Sequence, residues 1–177
     1  MNKLNEQEAL HACLEPYGYT DFYFQYDVDS IHSASGNAEF YASTYDLQYL
    51  PTRRRGGTII AKKGDFAIVF VNEEEKTYSE IVKFYDFIIE KLKPYNVYLE
   101  IDKNDLVYRK NTKKYKVAGG ANGIIHGVHY SAIHISMSVD LDLIHKICGA
   151  NPKTPMGLSS LVNSDIVEEI IKSYERN

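Results

Sequence analysis

The chain has 177 residues, 44% of them hydrophobic, with a formal net charge of −4, which suits one globular domain over residues 1–177 and argues against two. A pI near 5.9 provides no overall basic field to draw the molecule to nucleic acid or an acidic membrane. Cys13 and Cys148 are too few for a disulfide framework, and neither a signal-peptide pattern nor a bilayer-length apolar run is present, so the expected location is the cytoplasm.

From the N-terminus, "NEQEALHACLEPYG" (5–18) predicts a short helix closed by Pro16 and Gly18, and "DFYFQYDVDSI" (21–31) an extended segment. The pattern over 41–52 is poor, and "PTRRRGG" marks a break. "TIIAKKGDFAIVFV" reads as two β-rich runs forming a hairpin around Lys62, Lys63, Gly64 and Asp65. "TYSEIVKFYDFIIEKLKP" is the clearest helix: Thr77 and Glu80 make a capping box, Ile81, Phe84, Tyr85, Ile88 and Leu92 a buried stripe, and Pro94 a stop.

Strands follow at "VYLEI", "DLVYR" and "KYKVAG", then a longer alternating run over 129–139. That run sets Tyr130, Ala132, His134, Ser136 and Ser138 on one face and Ser131, Ile133, Ile135, Met137 and Val139 on the other. Asp140 can cap a helix through about Ile147, "GANPKTPMGLSS" reads as loop, and "DIVEEIIKSY" as a closing amphipathic helix. Helices and strands that do not strictly alternate predict an α+β fold, with a mixed or largely antiparallel sheet flanked by helices.

Four stretches carry candidate chemistry. Arg53, Arg54 and Arg55 before Gly56 and Gly57 offer planar donors and approachable backbone to a phosphate or carboxylate, or form a solvated basic turn. Lys116 is separated by only Val117 and Ala118 from Gly119 and Gly120; strand lysines usually face water, so the glycines are what make it a candidate. Asn104-Asp105 is a carboxylate site or an ordinary turn, and Cys148 before Gly149 is a nucleophile or a buried helix-end thiol. His126, His129, His134 and His145 show no metal-ligand spacing.

In this order the pieces resemble the catalytic domain of the lipoate–protein ligase, octanoyltransferase and biotin–protein ligase superfamily, most closely lipoate–protein ligase, from about Pro51 to Leu161. The resemblance rests on "RRRGGTIIAKKGDFAIVFV" with Gly64 in its turn, the following helix, "NDLVYR", "KVAGGA", and a strand running into Asp140-Leu141. It implies a class II synthetase-like fold that activates lipoate or a related acid with ATP and passes the acyl group to a lysine of a lipoyl-carrier domain. On that reading Lys116 is the electrostatic clamp, and Arg53, Arg54, Arg55, Gly56, Gly57, Asn104, Asp105, Gly119, Gly120 and Ala121 bind substrate and phosphate. Asp105 orients Lys116 or holds Mg2+, and Ser131, Ile133 and Ile135 line the acyl pocket.

The chain departs from the family at several points. Only two glycines follow the arginines directly, the hairpin histidine is replaced near Ala61-Lys62, and Ser131-Ala132 stands where His-Gly is usual. No accessory C-terminal domain is expected, so a separate accessory subunit is a candidate partner. Two alternatives follow: an ATP-independent octanoyltransferase using Cys148, needing no cofactor, and a non-catalytic module binding an acyl-adenylate, nucleotide or protein. Nucleic acid and membrane are not expected partners.

Overall fold

The computed structural model describes residues 1–5, 20–33, 35–51, 57–72, 79–150 and 153–176. Nearly all of the helix expected over 5–18 lies outside these residues, as do Thr77, Arg53, Arg54, Arg55 and Gly56. The described elements are β1 (Asn2–Lys3), β2 (Phe22–Gln25), β3 (Ser30–His32), α1 (Ala38–Tyr45), β4 (Gln48–Leu50), β5 (Ile59–Ala61), β6 (Phe66–Asn72), α2 (Ser79–Leu92), β7 (Leu99–Asp102), β8 (Asp105–Lys110), β9 (Lys113–Ile125), β10 (Val128–Ile135), α3 (Leu141–Cys148), β11 (Thr154–Pro155) and α4 (Ser164–Ser173).

The large sheet runs β1-β2-β6-β10-β9-β8-β7, with β11 attached to β9; the small sheet runs β4-β3-β5. Only β1 with β2, β11 with β9, and β3 with β4 pair in parallel. The class is therefore α+β with a mostly antiparallel sheet, as the segment order predicts.

Period-two alternation divides the large sheet into two faces. Phe66, Ile68, Phe70, Ile133 and Ile135 meet Ile81, Phe84, Tyr85 and Ile88 of α2 and Val167, Ile170 and Ile171 of α4 in the main core. Phe70, Phe84 and Tyr174 pack edge to face there at 5.1–5.7 Å. Full burial of each large apolar side chain contributes about 1.5–3 kcal/mol, so this helix-covered face supplies most of the stability. On the other face Phe22, Phe24, Ala67, Val69, Tyr130 and Ala132 pack with Leu50 of β4 and Ala61 of β5. The small sheet covers that side.

Two expectations are corrected. The run around Gly64 is not a hairpin: β5 pairs with β3 in the small sheet, whereas β6 pairs with β2 and β10 in the large one. The turn is a corner between sheets, held by Tyr26 N–H to Asp65 O and Gly64 N–H to Tyr26 O, with Gly64 at φ +98°. The 41–52 stretch holds the second half of α1 and all of β4. β10 also ends at Ile135 rather than near 139. The α2 stripe is buried as expected, Asp140 accepts from Leu143 N–H at the start of α3, and Asn163 caps α4. No helix among the described residues is long and apolar enough to cross a membrane.

Candidate functional site

A β-bulge decides where Lys116 points. Val107 of β8 pairs with Lys116 and Leu106 with Ala118, so Val117 is an extra residue in the ladder. Val117 and Ala118 both enter the helix-covered core, while Lys116 and Gly119 share the opposite face. A Cβ on Gly119 would lie 2.8 Å from Lys116 Cε and 2.9 Å from its Nζ. The lysine chain thus lies across bare backbone, and the space expected for substrate beside Gly119 is taken by Lys116 itself.

Gly120 serves the other face, where a Cβ would meet Ile81 Cδ1 at 2.9 Å. Its N–H donates to Asn104 O at 3.0 Å, and Asn104 Nδ2 donates to Gly120 O. The Tyr85 hydroxyl donates to the same Asn104 carbonyl at 2.8 Å. Burial, then the nearby Asp105 charge, pushes Tyr85 well above its ordinary pKa, so it remains a donor. Asn104 and Gly120 therefore fasten the β7–β8 turn to β9 over α2.

Asp105 lies directly opposite Gly119, and His134 opposite Gly119 on the other side. Asp105 Oδ1 faces Lys116 Nζ at 3.3 Å, and Oδ2 accepts from Lys153 Nζ at 2.8 Å. Lys153 also meets Asp102 at 3.2 Å, and Lys114 meets Asp102 at 3.3 Å. Two carboxylates and three ammoniums form one chain of charge. Burial disfavours the Lys153 charge, but hydrogen bonds to Asp105 and Asp102 outweigh it and raise its pKa. With ammonium groups on both oxygens, the Asp105 donor set does not fit a divalent cation. Among the described residues no group of three or more His, Cys, Asp or Glu side chains is placed to hold a metal.

Lys153 was read only as loop. Its place depends on β11 joining β9, with Thr154 opposite Tyr115, Pro155 opposite Lys116, and Met156 N–H donating to Lys116 O at 2.8 Å. No local sequence signal reports such a long-range pairing. Asp65 and His134 were also missed as a pair. The buried Asp65 carboxylate accepts from Met137, Ser138 and Lys62 N–H groups and meets His134 Nε2 at 2.9 Å. Tyr26, edge-on to His134, reaches His32 at 2.8 Å. This network ties the corner turn to β10 beside the Gly119 row.

The three residues expected to line the acyl pocket are all buried. Ile133 and Ile135 are buried in the helix-side core, and Ser131, fully buried, donates to Asn122 and accepts from Asn72. The face shared with Lys116 is instead floored by small residues: Ala67 opposite His134, Ala132 opposite Ala121, and Gly119. Arg53, Arg54, Arg55 and Gly56 are outside the described residues, but the flanking Leu50 and Ile59 pack on this same face. Gly57 is exposed with open space where a Cβ would go. Cys148 is also exposed, at the end of α3, and such cover as its thiol has pushes its pKa up. His126 and Gly127, with φ of 48° and 77°, make the β9–β10 turn.

No family model matches the chain, and a search of curated proteins by sequence also returns no match. Solved structures do match. A bi-partite lipoate protein ligase from Thermoplasma acidophilum superposes with a TM-score of 0.70 at 13% identity, over 97% of this chain and 79% of that one. A lipoate-protein ligase A bound with ATP gives 0.69 at 14% identity, over 96% and 79%. The chain has the lipoate- and biotin-ligase catalytic-domain fold. A biotin protein ligase from Aquifex aeolicus, in complex with biotin and ATP, shares this ligase fold more distantly, with a TM-score of 0.53 at 11% identity over 97% of this chain and 66% of that one. Within the ligase fold of this chain, Lys116, Asp105 and Lys153 meet on the face toward the small sheet.

Proposed function

We propose that this protein activates lipoate, or a related acid such as octanoate, with ATP and transfers the acyl group to a lysine of a lipoyl-carrier domain. The observation that carries the reading is Lys116, held over Gly119 and paired at 3.3 Å with Asp105, on the sheet face toward the small sheet. The carboxylate of the acid, and the charge that grows on it during activation, need such a cation.

In the proposed sequence a carboxylate oxygen attacks the α-phosphorus of ATP, forming the acyl–phosphate bond as pyrophosphate leaves. Lys116 stabilises the negative charge that grows on the oxygens of the reacting centre. The carrier-lysine amine then attacks the acyl carbon, forming the amide as AMP leaves and the amine gives up a proton. Arg53, Arg54 and Arg55 are the proposed phosphate or carboxylate partners, and a separate accessory subunit is the proposed partner for the transfer half.

The test incubates the purified chain with ATP, Mg2+, labelled lipoate or octanoate and a lipoyl-carrier domain. Labelled carrier that needs ATP supports the ligase. Labelling without ATP that is lost in Cys148→Ala would establish the transferase instead, and labelled complex without transfer would establish a binding module.

A further inference from the structure

We infer that Lys153 is a built-in cation holding the position at Asp105 that a divalent metal would otherwise take, leaving Lys116 as the less neutralised cation of the pair. The family resemblance directs attention to Asp105 as a metal ligand, and the donor geometry disagrees. A magnesium ion on this carboxylate would need oxygen contacts of about 2.0–2.1 Å. The Lys153 ammonium already stands 2.8 Å from Asp105 Oδ2 and 3.2 Å from Asp102 Oδ2, between the two carboxylates on which such an ion would be seated.

Backbone pairing fixes this arrangement. Lys153 immediately precedes Thr154, which is in register with Tyr115, and Met156 N–H donates to the carbonyl of Lys116. The same β11 segment therefore braces the strand bearing Lys116 and delivers the competing ammonium to Asp105. The consequence for charge is specific. Among the described residues, the ammoniums of Lys114, Lys116 and Lys153 share the carboxylates of Asp102 and Asp105. Asp105 accepts its short hydrogen bond from Lys153 and makes its longer 3.3 Å contact with Lys116. Lys116 thereby keeps charge to offer an incoming anion. The inference depends on the ligase reading only for the identity of that anion.

The test titrates the full chain with Mn2+ and reads bound metal by water-proton relaxation, comparing wild type with Asp105→Asn, Lys153→Gln, Lys153→Arg and the Lys153→Gln/Asp105→Asn double variant. Wild type and Lys153→Arg are expected to show no Mn2+ site that depends on Asp105. Lys153→Gln removes the ammonium shared by Asp102 and Asp105 and is expected to bind Mn2+ at least about tenfold more tightly, with the gain lost in the double variant. A wild-type Mn2+ site abolished by Asp105→Asn overturns the inference, as does a folded Lys153→Gln protein with no gain. Should Lys153→Gln fail to fold by circular dichroism, the wild-type and Asp105→Asn comparison still decides. A wild type that neither activates lipoate nor binds Mn2+ at Asp105 defeats the ligase reading alone; one that does both defeats this inference alone.

Discussion

Gly119→Ala separates the placement of Lys116 from the stability of the fold. The new Cβ would sit 2.8 Å from Lys116 Cε, so the lysine must retreat by about 0.6 Å to the 3.4 Å where ordinary contact begins. What yields is the far end of a flexible, partly exposed side chain. The folded state loses at most a surface-grade ion pair, about 0–1 kcal/mol. Replacing glycine within a strand returns about 0.5–1 kcal/mol through the unfolded chain. Thermal unfolding should therefore move by no more than a few degrees, roughly the shift expected for under 1 kcal/mol. The chemistry should respond far more, because a misplacement approaching 1 Å costs on the order of tenfold to a hundredfold in rate. Gly120→Ala is the control: its Cβ would strike Ile81, which is buried, at 2.9 Å. That clash should cost about 1–3 kcal/mol while the surviving folded protein keeps its turnover. The assay is lipoate-dependent ATP–pyrophosphate exchange beside thermal melts. A Gly119→Ala protein that exchanges at the wild-type rate, or that unfolds more readily than Gly120→Ala, refutes the placement.

Hydrogen bonds from Lys153 and then Lys114 hold Asp102 below its ordinary pKa of 3.8, so its contribution is present above about that pH and lost as pH falls through the lower folded value. Asp102→Asn should accordingly lower the melting temperature at about pH 7 and by progressively less as pH falls below 3.8; an undiminished loss across that range would contradict the assignment. Removing the Asp65 carboxylate strands three N–H groups and His134, and Asp65→Ala should cost about 3 kcal/mol in urea denaturation, with a loss under about 1 kcal/mol counting against a structural role. Cys148→Ala should leave ATP-dependent acyl transfer intact, because burial raises rather than lowers the thiol pKa; loss of transfer in a folded variant would reinstate the thiol.

Much of the fold is legible because burial follows periodicity. The five residues of the α2 stripe are all buried, and β10 sends Ile133 and Ile135 to one core and Tyr130 and Ala132 to the other, so that Tyr130 to Ile133 are buried on both faces. Alternation identifies two faces without saying which one holds the site. The more apolar set, Ile133 and Ile135, was taken for an acyl wall and is core, because two helices cover that side. The face shared with Lys116 carries Ala67, Gly119, Ala121 and Ala132, small residues that give the sequence pattern little contrast. α1 escaped notice because only Ala38 and Ala42 are buried, while Phe40 is 67% exposed. The corner at Gly64 has the local chemistry of a hairpin turn, and only the partner strands, distant in sequence, send its two arms into different sheets. Lys116 with its glycines was readable from local pattern, whereas Lys153 depends on a strand pairing about forty residues away in sequence.

Lipoate-dependent ATP–pyrophosphate exchange by wild type and Lys116→Met tests the central assignment most directly. Wild type should catalyse exchange only when lipoate or octanoate is present, and the folded Lys116→Met protein should lose about a hundredfold or more of that rate. Exchange that survives the substitution, or none from wild type with either acid, would contradict the role given to Lys116.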